Sequence, residues 1–459
     1  MTRTRPSPSP VRLWAPGTRS LLVGVLGLMT CIAFESFAVT TALPVVVRDL
    51  SADRWYALAF SATLAAGLIG MTVGGGWADR RGPAQPLLVG GLAFLVGIAL
   101  CVAAPNIGVF VLGRLLQGVG GGIDSVVLYV IIARGVPEEL RPRVFGLLTA
   151  AWLLPAVAGP LLTGVLVEAL HWRAVFALVL AGATAFLLVL AGPARQLTSD
   201  PAPGRLLNRR VLWSVVAMAS VVGLHVAGQR PPPELLVGTA LSVVVLVVAA
   251  ARLVPRGTLR AGAGVPRWIA LRGLLGGTVT VTDVYLALHL QHGLGHPPAL
   301  SGLIVAIGAF GWALGAWVQG RRGKGGSDRP FPLWPAALLV LCGPVAVLGL
   351  IGGVLPLAGV PLGCVLMGTG MGIAYPRISS TVLSLSASDE QGGNSSALQV
   401  FDSLSTSALL AVAGAVLSAE LLAGYPGVFT LAAGTGVAAL LVASALSRTG
   451  GTGTGRAHV

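Results

Sequence analysis

The sequence predicts an all-α membrane protein with 14 transmembrane helices, arranged as two pseudo-symmetric six-helix bundles plus an inserted helix pair. Of the 459 residues, 55% are hydrophobic and 10% are charged, whereas soluble domains carry about 25% charged residues. Fourteen apolar segments are each long enough to cross ~30 Å of hydrocarbon at about 1.5 Å per residue. Short features of the first half also return in the second half, which predicts duplicated bundles.

Each apolar segment is bounded by charged, glycine-rich or proline-rich stretches, which set the limits of the predicted helices. The first six spans form the N-terminal bundle at 21–193, spans 7 and 8 lie in a linker at 194–267, and the last six form the C-terminal bundle at 268–447. Segments 1–20 and 448–459 are predicted to be cytoplasmic tails, the first of them disordered. In chain order the spans are 21–45, 56–78, 87–104, 109–133, 144–168, 173–193, 211–228, 234–253, 268–290, 300–319, 332–353, 357–382, 394–421 and 427–447.

Basic residues concentrate on one side of this topology. If the N-terminus is cytoplasmic, the inner loops and both tails hold 23 of the 30 basic residues and the outer loops hold four. This bias predicts that both termini are cytoplasmic, in a multi-pass protein of a bacterial inner (plasma) membrane. The net charge of +14 is then explained by topology and anionic lipid headgroups. The arginines are scattered over short loops, so no nucleic-acid partner is expected.

Internal repetition supports the two bundles. Trp77–Gly82 after span 2 resembles Val318–Gly323 after span 10, and both are short basic turns on the same side. Glycines at 118–122 in span 4 are echoed by glycines at 368–372 in span 12, where they allow neighbouring helices to approach closely. The inserted pair, spans 7 and 8, lacks an acidic residue in its interior and is expected to lie at the periphery.

Four acidic residues, Glu35, Asp124, Asp283 and Asp402, lie inside predicted spans and away from the ends of those spans. An ionisable group in hydrocarbon costs several kcal/mol unless it faces protein or water, so each is a candidate for an ion or substrate pathway. Glu35 lies ~21 Å from the inner end of span 1 and Arg114 ~8 Å from the outer end of span 4, which are equal depths in a ~30 Å layer. These depths predict that the two side chains can pair.

Asp283 lies ~22 Å into span 9, the second-half counterpart of span 1, so we expect Glu35 and Asp283 to face one central cavity. Asp402 lies near the middle of span 13 and is a further candidate for proton coupling. A second interpretation stays open for all of these residues. Glu35 and Arg114 could form a purely structural ion pair, and the other three acids could be neutral, hydrogen-bonded groups that pack helices.

Three motifs resemble those of the major facilitator superfamily, in particular its fourteen-span drug:proton antiporter branch, over nearly the whole chain. After span 2, a glycine, aspartate, arginine and glycine pattern is similar to the family's cytoplasmic gating loop; Pro83 and Ala84 stand where the family usually has basic residues. The span 4 motif is similar to the segment associated with proton transfer, and the span 5 motif to the antiporter bend. The residues are Gly75, Asp79, Arg80 and Gly82 for the gate, Arg114, Gln117, Gly118 and Asp124 for span 4, and Pro155, Gly159, Pro160 and Gly164 for span 5.

The resemblance implies a proton-coupled antiporter that exports small amphipathic compounds by alternating access. Glu35 precedes Ala42-Leu43-Pro44 where this branch usually has an aspartate, so the resemblance implies that Glu35 binds the coupling proton. The acidic residues favour cationic compounds by electrostatics. The expected partners are protons, a small-molecule substrate and the lipid bilayer, with the protein acting as a monomer.

An enzyme is not expected. The sequence contains no Gly-rich phosphate loop of the Walker type, no His or Cys cluster that predicts a metal, and no nucleophile with an adjacent base. We therefore predict no cofactor and no metal. Two alternatives to drug export stay open: a transporter of the same fold for a native metabolite or lipid, and a membrane sensor or scaffold that does not transport.

Overall fold

The structure, a computed structural model, describes residues 14, 16–197, 209–230, 234–322, 333–387, 390–420 and 423–449. Within these ranges the chain forms fourteen α-helices and no β-strand. The helices are α1 Pro16–Asp49, α2 Tyr56–Arg81, α3 Ala84–Ala103, α4 Ile107–Gly135, α5 Arg141–Ala169, α6 Trp172–Arg195, α7 Arg209–Ala227, α8 Glu234–Leu253, α9 Val265–Leu288, α10 Pro298–Arg322, α11 Trp334–Ile351, α12 Val360–Leu385, α13 Gln391–Ser418 and α14 Tyr425–Thr449.

The length and composition of these helices confirm the predicted class of a multi-pass helical membrane protein. Thirteen of the described helices are long and apolar enough to cross a membrane. The exception is α8, whose apolar part, Val237–Leu253, is shorter. Large apolar side chains such as Leu188 and Leu241 are 72% and 63% exposed, an arrangement that suits lipid and not water.

The first helix begins earlier than the sequence predicts. It starts at Pro16, inside the segment 1–20 that we expected to be a disordered tail and before the predicted start of the first span at residue 21. Proline is well suited to the first turn of a helix, because its missing N–H would have no partner there. The rest of that predicted tail, up to residue 13, lies outside the described residues. At the other end α14 continues to Thr449, and the predicted tail beyond it also lies outside them.

Helices α1–α6 and α9–α14 repeat one packing arrangement. In the first group α1 packs on α5 and α6, α2 on α4, and α3 on α4 and α6. In the second group α9 packs on α13 and α14, α10 on α12, and α11 on α12 and α14, which is the same pattern eight helices later. The largest contacts between the two groups are those of α5 with α10 and of α2 with α13. This repetition gives the pseudo-symmetry predicted from the sequence.

Glycines on α4 and α12 make the repeated packing possible. A methyl group on Gly118 would overlap the carbonyl oxygen of Thr63 in α2, and one on Gly122 would overlap that of Gly67. In the second group, Gly368 and Gly372 of α12 meet backbone carbonyl oxygens of α10 in the same way. The echo between the two glycine segments therefore corresponds to one structural role, close backbone approach.

The inserted pair is less peripheral than we expected. Helix α7 packs on α8 and also contacts α2 and α13, one helix from each six-helix group. The hydroxyl oxygens of Thr72 in α2 and Ser214 in α7 lie 3.0 Å apart. Helix α7 packs inward because small and apolar residues repeat every three to four positions along one face. These residues, Ser214, Ala217, Val221 and Leu224, are all buried.

Candidate functional site

Glu35 of α1 and Arg114 of α4 form an ion pair in the interior, the contact that their depths predict. Only 3% of Glu35 and 2% of Arg114 is exposed. Arg114 also donates through Nε to the carbonyl oxygen of Ala59 in α2, 3.1 Å away, and through Nη1 to Oε1 of Gln117, 3.1 Å away. The guanidinium therefore joins α1, α2 and α4.

Removing the charge from one partner of this pair would change how three helices are held. A buried charge without its partner is strongly unfavourable, because the low-dielectric interior does not solvate it. A proton on Glu35 would neutralise the carboxylate and leave Arg114 with only its neutral acceptors at Ala59 and Gln117. The arrangement can therefore link protonation of one group to the packing of α1 against α2 and α4.

Asp402 of α13 lies in a second charged cluster, in the C-terminal group of helices. Its Oδ2 is 3.2 Å from Nε of Arg272 in α9, and its Oδ1 accepts a hydrogen bond of 2.9 Å from the hydroxyl of Tyr375 in α12. Arg272 also donates to Oγ of Ser379 at 2.8 Å and to Oε1 of Gln399 at 2.9 Å. Asp402 was predicted from the sequence as a site residue, whereas its partner Arg272 was not.

Counting residues along the helices, as for Glu35 and Arg114, places Arg272 within reach of Asp402 but does not show that the two side chains face each other. Arg272 is seven residues from the start of α9 and Asp402 is eleven from the start of α13, depths of about 10 Å and about 17 Å from the same side. The long arginine side chain spans this difference.

Asp283 lies farther along α9, which is the most buried of the thirteen spanning helices. The partly exposed residues Arg272, Val279 and Asp283 are seven and four positions apart, so they share one face of the helix. One carboxylate oxygen of Asp283 is buried and has no hydrogen-bond partner among the described residues. The side chain lies close enough to Cys364 of α12 to interact with it electrostatically.

Asp124 lies apart from the Glu35–Arg114 pair. It is ten residues farther along α4, about 15 Å away along the helix axis. The residue is fully buried, and neither carboxylate oxygen has a hydrogen-bond partner among the described residues. Its side chain packs beside Gly90 of α3, where a Cβ would lie 2.6 Å from Oδ1 of Asp124.

The motif after span 2 is helical and not the loop that the sequence suggested. Gly75, Asp79 and Arg80 lie in the last turns of α2, and only Gly82 is outside the helix. The helix continues to Arg81 because the residues before Gly82 keep the helical conformation. Gly82 ends the helix with φ 77° and ψ 165°, a conformation almost restricted to glycine. Oδ1 of Asp79 is 3.3 Å from Nη2 of Arg134 at the end of α4, a partner that the sequence analysis missed.

The four residues of the predicted bend lie where α5 contacts neighbouring helices. Pro155, Gly159, Pro160 and Gly164 are all buried. A Cβ on Gly159 would lie 3.6 Å from the ring of Phe34 in α1, and a Cβ on Gly164 would lie 2.6 Å from Cα of Ala299 in α10. The carbonyl oxygen of Pro160 lies where a side chain on Gly302 of α10 would project. These residues thus lie where α5 contacts helices of both groups.

Polar contacts join the two helix groups on the side opposite the chain termini. The Gln291 side chain donates to the carbonyl oxygen of Thr41 at 3.1 Å, and Arg48 donates to the carbonyl oxygen of Gln291 at 3.3 Å. His292 lies in a short π-helical turn after α9; its Nε2 is 2.9 Å from the carbonyl oxygen of Pro44 and its Nδ1 is 3.3 Å from Oδ1 of Asp53. None of these contacts was anticipated from the sequence.

The described ranges contain no group of three or more His, Cys, Asp or Glu side chains that could hold a metal ion. The charged groups inside the described part of the molecule are ion pairs and single acids.

A family model matches most of the chain. Residues 25–410 match the model described as Major Facilitator Superfamily. The chain belongs to the major facilitator superfamily. Its fold and family are those of membrane transporters.

Among curated relatives, a Mycobacterium tuberculosis protein named "Probable multidrug-efflux transporter" is 27% identical over 428 residues, which cover 88% of each chain. The Bacillus subtilis "Multidrug resistance protein 3" is 30% identical over 159 residues, covering 35% of this chain and 31% of that one.

Solved structures with the same fold have low sequence identity. The POT family transporter PepTSo aligns with a TM-score of 0.69 and 14% identity, covering 94% of this chain and 98% of that one. The human organic anion transporter MFSD10 aligns with a TM-score of 0.61 and 16% identity, covering 94% and 100%. At these identities the likeness establishes the fold alone.

Proposed function

We propose that this transporter exports small amphipathic compounds in exchange for protons, by alternating access, and that it favours cationic compounds. The observation that carries the proposal is the buried Glu35–Arg114 ion pair, which joins α1, α2 and α4. Its carboxylate is a proton acceptor whose charge state bears on helix packing. The names of the mycobacterial and Bacillus subtilis relatives support a role in efflux.

We place both chain termini in the cytoplasm of a bacterium, with the protein as a monomer in the inner membrane. The distribution of basic residues supports this orientation. With it, the contacts of Gln291 and His292 close the outer side of the molecule. The ion pair of Asp79 with Arg134 then lies at the cytoplasmic ends of α2 and α4, where Asp79, Arg80 and Gly82 act as the gate.

In this proposal Glu35 carries the coupling proton, and Arg114 compensates the negative charge of Glu35 when that carboxylate is ionised. When Glu35 is ionised, the pair holds α1 to α4; when it is protonated, the attraction is lost and the helices can rearrange. Asp283 and Asp402 provide further acids that face the substrate or titrate. Oδ1 of Asp283 has no hydrogen-bond partner among the described residues, and this carboxylate supports the preference for cationic compounds.

The proposal is tested in proteoliposomes that contain the purified protein and hold an imposed pH gradient. Ethidium, tetraphenylphosphonium and chloramphenicol would serve as two cationic probes and one neutral probe. We expect the gradient to drive the movement of at least one compound, and a protonophore to abolish that movement. If none moves in response to the gradient, the metabolite carrier or the non-transporting sensor becomes the better explanation.

A further inference from the structure

Arg272 is held in a fixed orientation at the accessible face of the most buried helix. It uses Nε, Nη1 and Nη2 once each, toward Asp402, Ser379 and Gln399. A guanidinium has five N–H groups, so two remain without an acceptor among the described residues. The side chains of Arg272 and Asp402 are 12% and 19% exposed, in contrast with the sealed Glu35–Arg114 pair.

Aromatic rings surround this guanidinium. Its central carbon lies 4.3 Å from the centre of the Tyr375 ring, and Trp312 meets Tyr375 edge to face at 5.8 Å. Tyr129 of α4, in the other helix group, interacts electrostatically with Arg272 and is itself 45% exposed. Tyr129 stacks on Phe145 of α5 at 6.1 Å. The aromatic side chains near Arg272 therefore come from both helix groups.

We propose that Arg272, with Tyr375 and Gln399, forms a subsite that binds the carboxylate of an aromatic or amphipathic compound. This inference rests on the proposed transport function and names a substrate class beyond cationic compounds. A guanidinium whose orientation is fixed by three side chains presents its remaining N–H groups in the planar geometry that suits a carboxylate. The rings of Tyr375 and Tyr129 supply the apolar surface for the rest of the compound.

Asp402 competes with the ligand for Arg272. An ionised Asp402 neutralises the guanidinium at 3.2 Å and repels a second carboxylate. Removing the charge of Asp402 should therefore strengthen binding of a carboxylate, while removing the charge of Arg272 should weaken it. If the ion pair were purely structural, loss of either partner would damage the same region, and both substitutions would weaken binding.

The experiment measures binding to the full-length protein in detergent by isothermal titration. Naphthylacetate, naphthylacetamide and naphthylethylammonium share one ring and differ in charge. We expect Arg272→Gln to weaken naphthylacetate binding about tenfold, the effect of one lost charge-assisted contact. Asp402→Asn should tighten naphthylacetate binding by a similar factor, and both variants should leave naphthylacetamide binding nearly unchanged.

Arg377→Gln is the matched control, because it also removes one positive charge from a span but lies outside the cluster. Thermal unfolding of each variant shows whether it is folded. Equal weakening of all three compounds in both variants, or no preference of the native protein for naphthylacetate over naphthylacetamide, would overturn the proposal. Because binding is measured without a gradient, that result would leave proton exchange as an independent question.

Discussion

Arg114 and Glu35 are 79 positions apart in the chain and meet as a buried ion pair between α1 and α4. The same guanidinium donates to the carbonyl oxygen of Ala59, so one side chain ties α4 to both α1 and α2. A charge held this way has little freedom to reorganise, and any change in its partner is transmitted to the surrounding helices.

Replacing Arg114 by Gln should destabilise the protein more than replacing Glu35 by Gln. Arg114→Gln leaves a buried carboxylate without its cation, at a cost of about 3–5 kcal/mol unless it takes up a proton. Glu35→Gln keeps the shape of the protonated acid, and Arg114 retains the acceptors at Ala59 and Gln117. The measurement is the thermal unfolding temperature in detergent.

The double variant Glu35→Gln/Arg114→Gln provides the control for that prediction. Because the two residues interact directly, their effects should not add, and the double variant should recover part of the stability lost in Arg114→Gln. Additive losses would mean that the ion pair does not contribute as a unit.

Gly302→Ala should impair transport by separating α5 from α10. A methyl group at Gly302 would overlap the carbonyl oxygen of Pro160, and backbone atoms cannot move aside cheaply. Gly320→Ala, in the same helix, is the control, because a Cβ there has no neighbour within 4 Å. We expect at least a severalfold loss of transport rate for Gly302→Ala at equal protein amounts. Equal rates for the two variants would show that close approach at Pro160 is not required.

Gly82→Ala should destabilise the end of α2 by about 1–3 kcal/mol, because its backbone conformation is almost restricted to glycine. Gly146→Ala in α5 provides the comparison, since a Cβ there has no neighbour within 4 Å and the residue is helical. The unfolding temperature of Gly82→Ala should fall, whereas that of Gly146→Ala should stay level or rise. The reverse order would contradict the assigned conformation of Gly82.

His292 should hold the two helix groups together more strongly in acid than in alkali. Both of its ring nitrogens face acceptors, the carbonyl oxygen of Pro44 and the carboxylate of Asp53, and only the doubly protonated ring donates to both. Arg48 lies near this contact and donates to the carbonyl oxygen of Gln291. Its guanidinium stays charged in both acid and mild alkali, so this hydrogen bond does not change with pH. Raising the pH should therefore remove one contact and favour opening of this side.

The readout is the labelling rate of a cysteine in place of the fully buried Thr41, with a membrane-impermeant maleimide. Divided by the rate of a small free thiol at the same pH, which corrects for the ionisation of the thiol itself, the labelling rate should rise with pH in the otherwise native protein and be high at every pH when His292 is replaced by Leu. The native protein without the Thr41 replacement gives the background from its four cysteines. A pH response that persists without His292 would assign the effect to another group.

The sequence predicted the fold and one contact of the site well, for identifiable physical reasons. The depth of a residue in a spanning helix follows from counting residues, so Glu35 and Arg114 could be placed at one level. Counting does not give the rotation of a helix about its axis, and therefore did not show which side chains face each other. Arg272 lies within reach of Asp402 by depth, but only the structure shows that the two side chains face each other.

Local conformation was a second source of error. The gating motif around Asp79 contains glycine and charged residues, which suggested a loop, but α2 continues to Arg81 because only Gly82 leaves the helical conformation. The contacts of Gln291 and His292 arise from a π-helical turn and from tertiary packing. No periodic pattern in the sequence indicates either feature.

The most direct test of the central claim is proton flux in proteoliposomes that hold a trapped pH dye, comparing the native protein with Glu35→Gln as a transported compound is added. If Glu35 carries the coupling proton, the compound should trigger proton movement in the native protein and none in Glu35→Gln. Proton movement that survives in Glu35→Gln would contradict the account and transfer the coupling to Asp283 or Asp402.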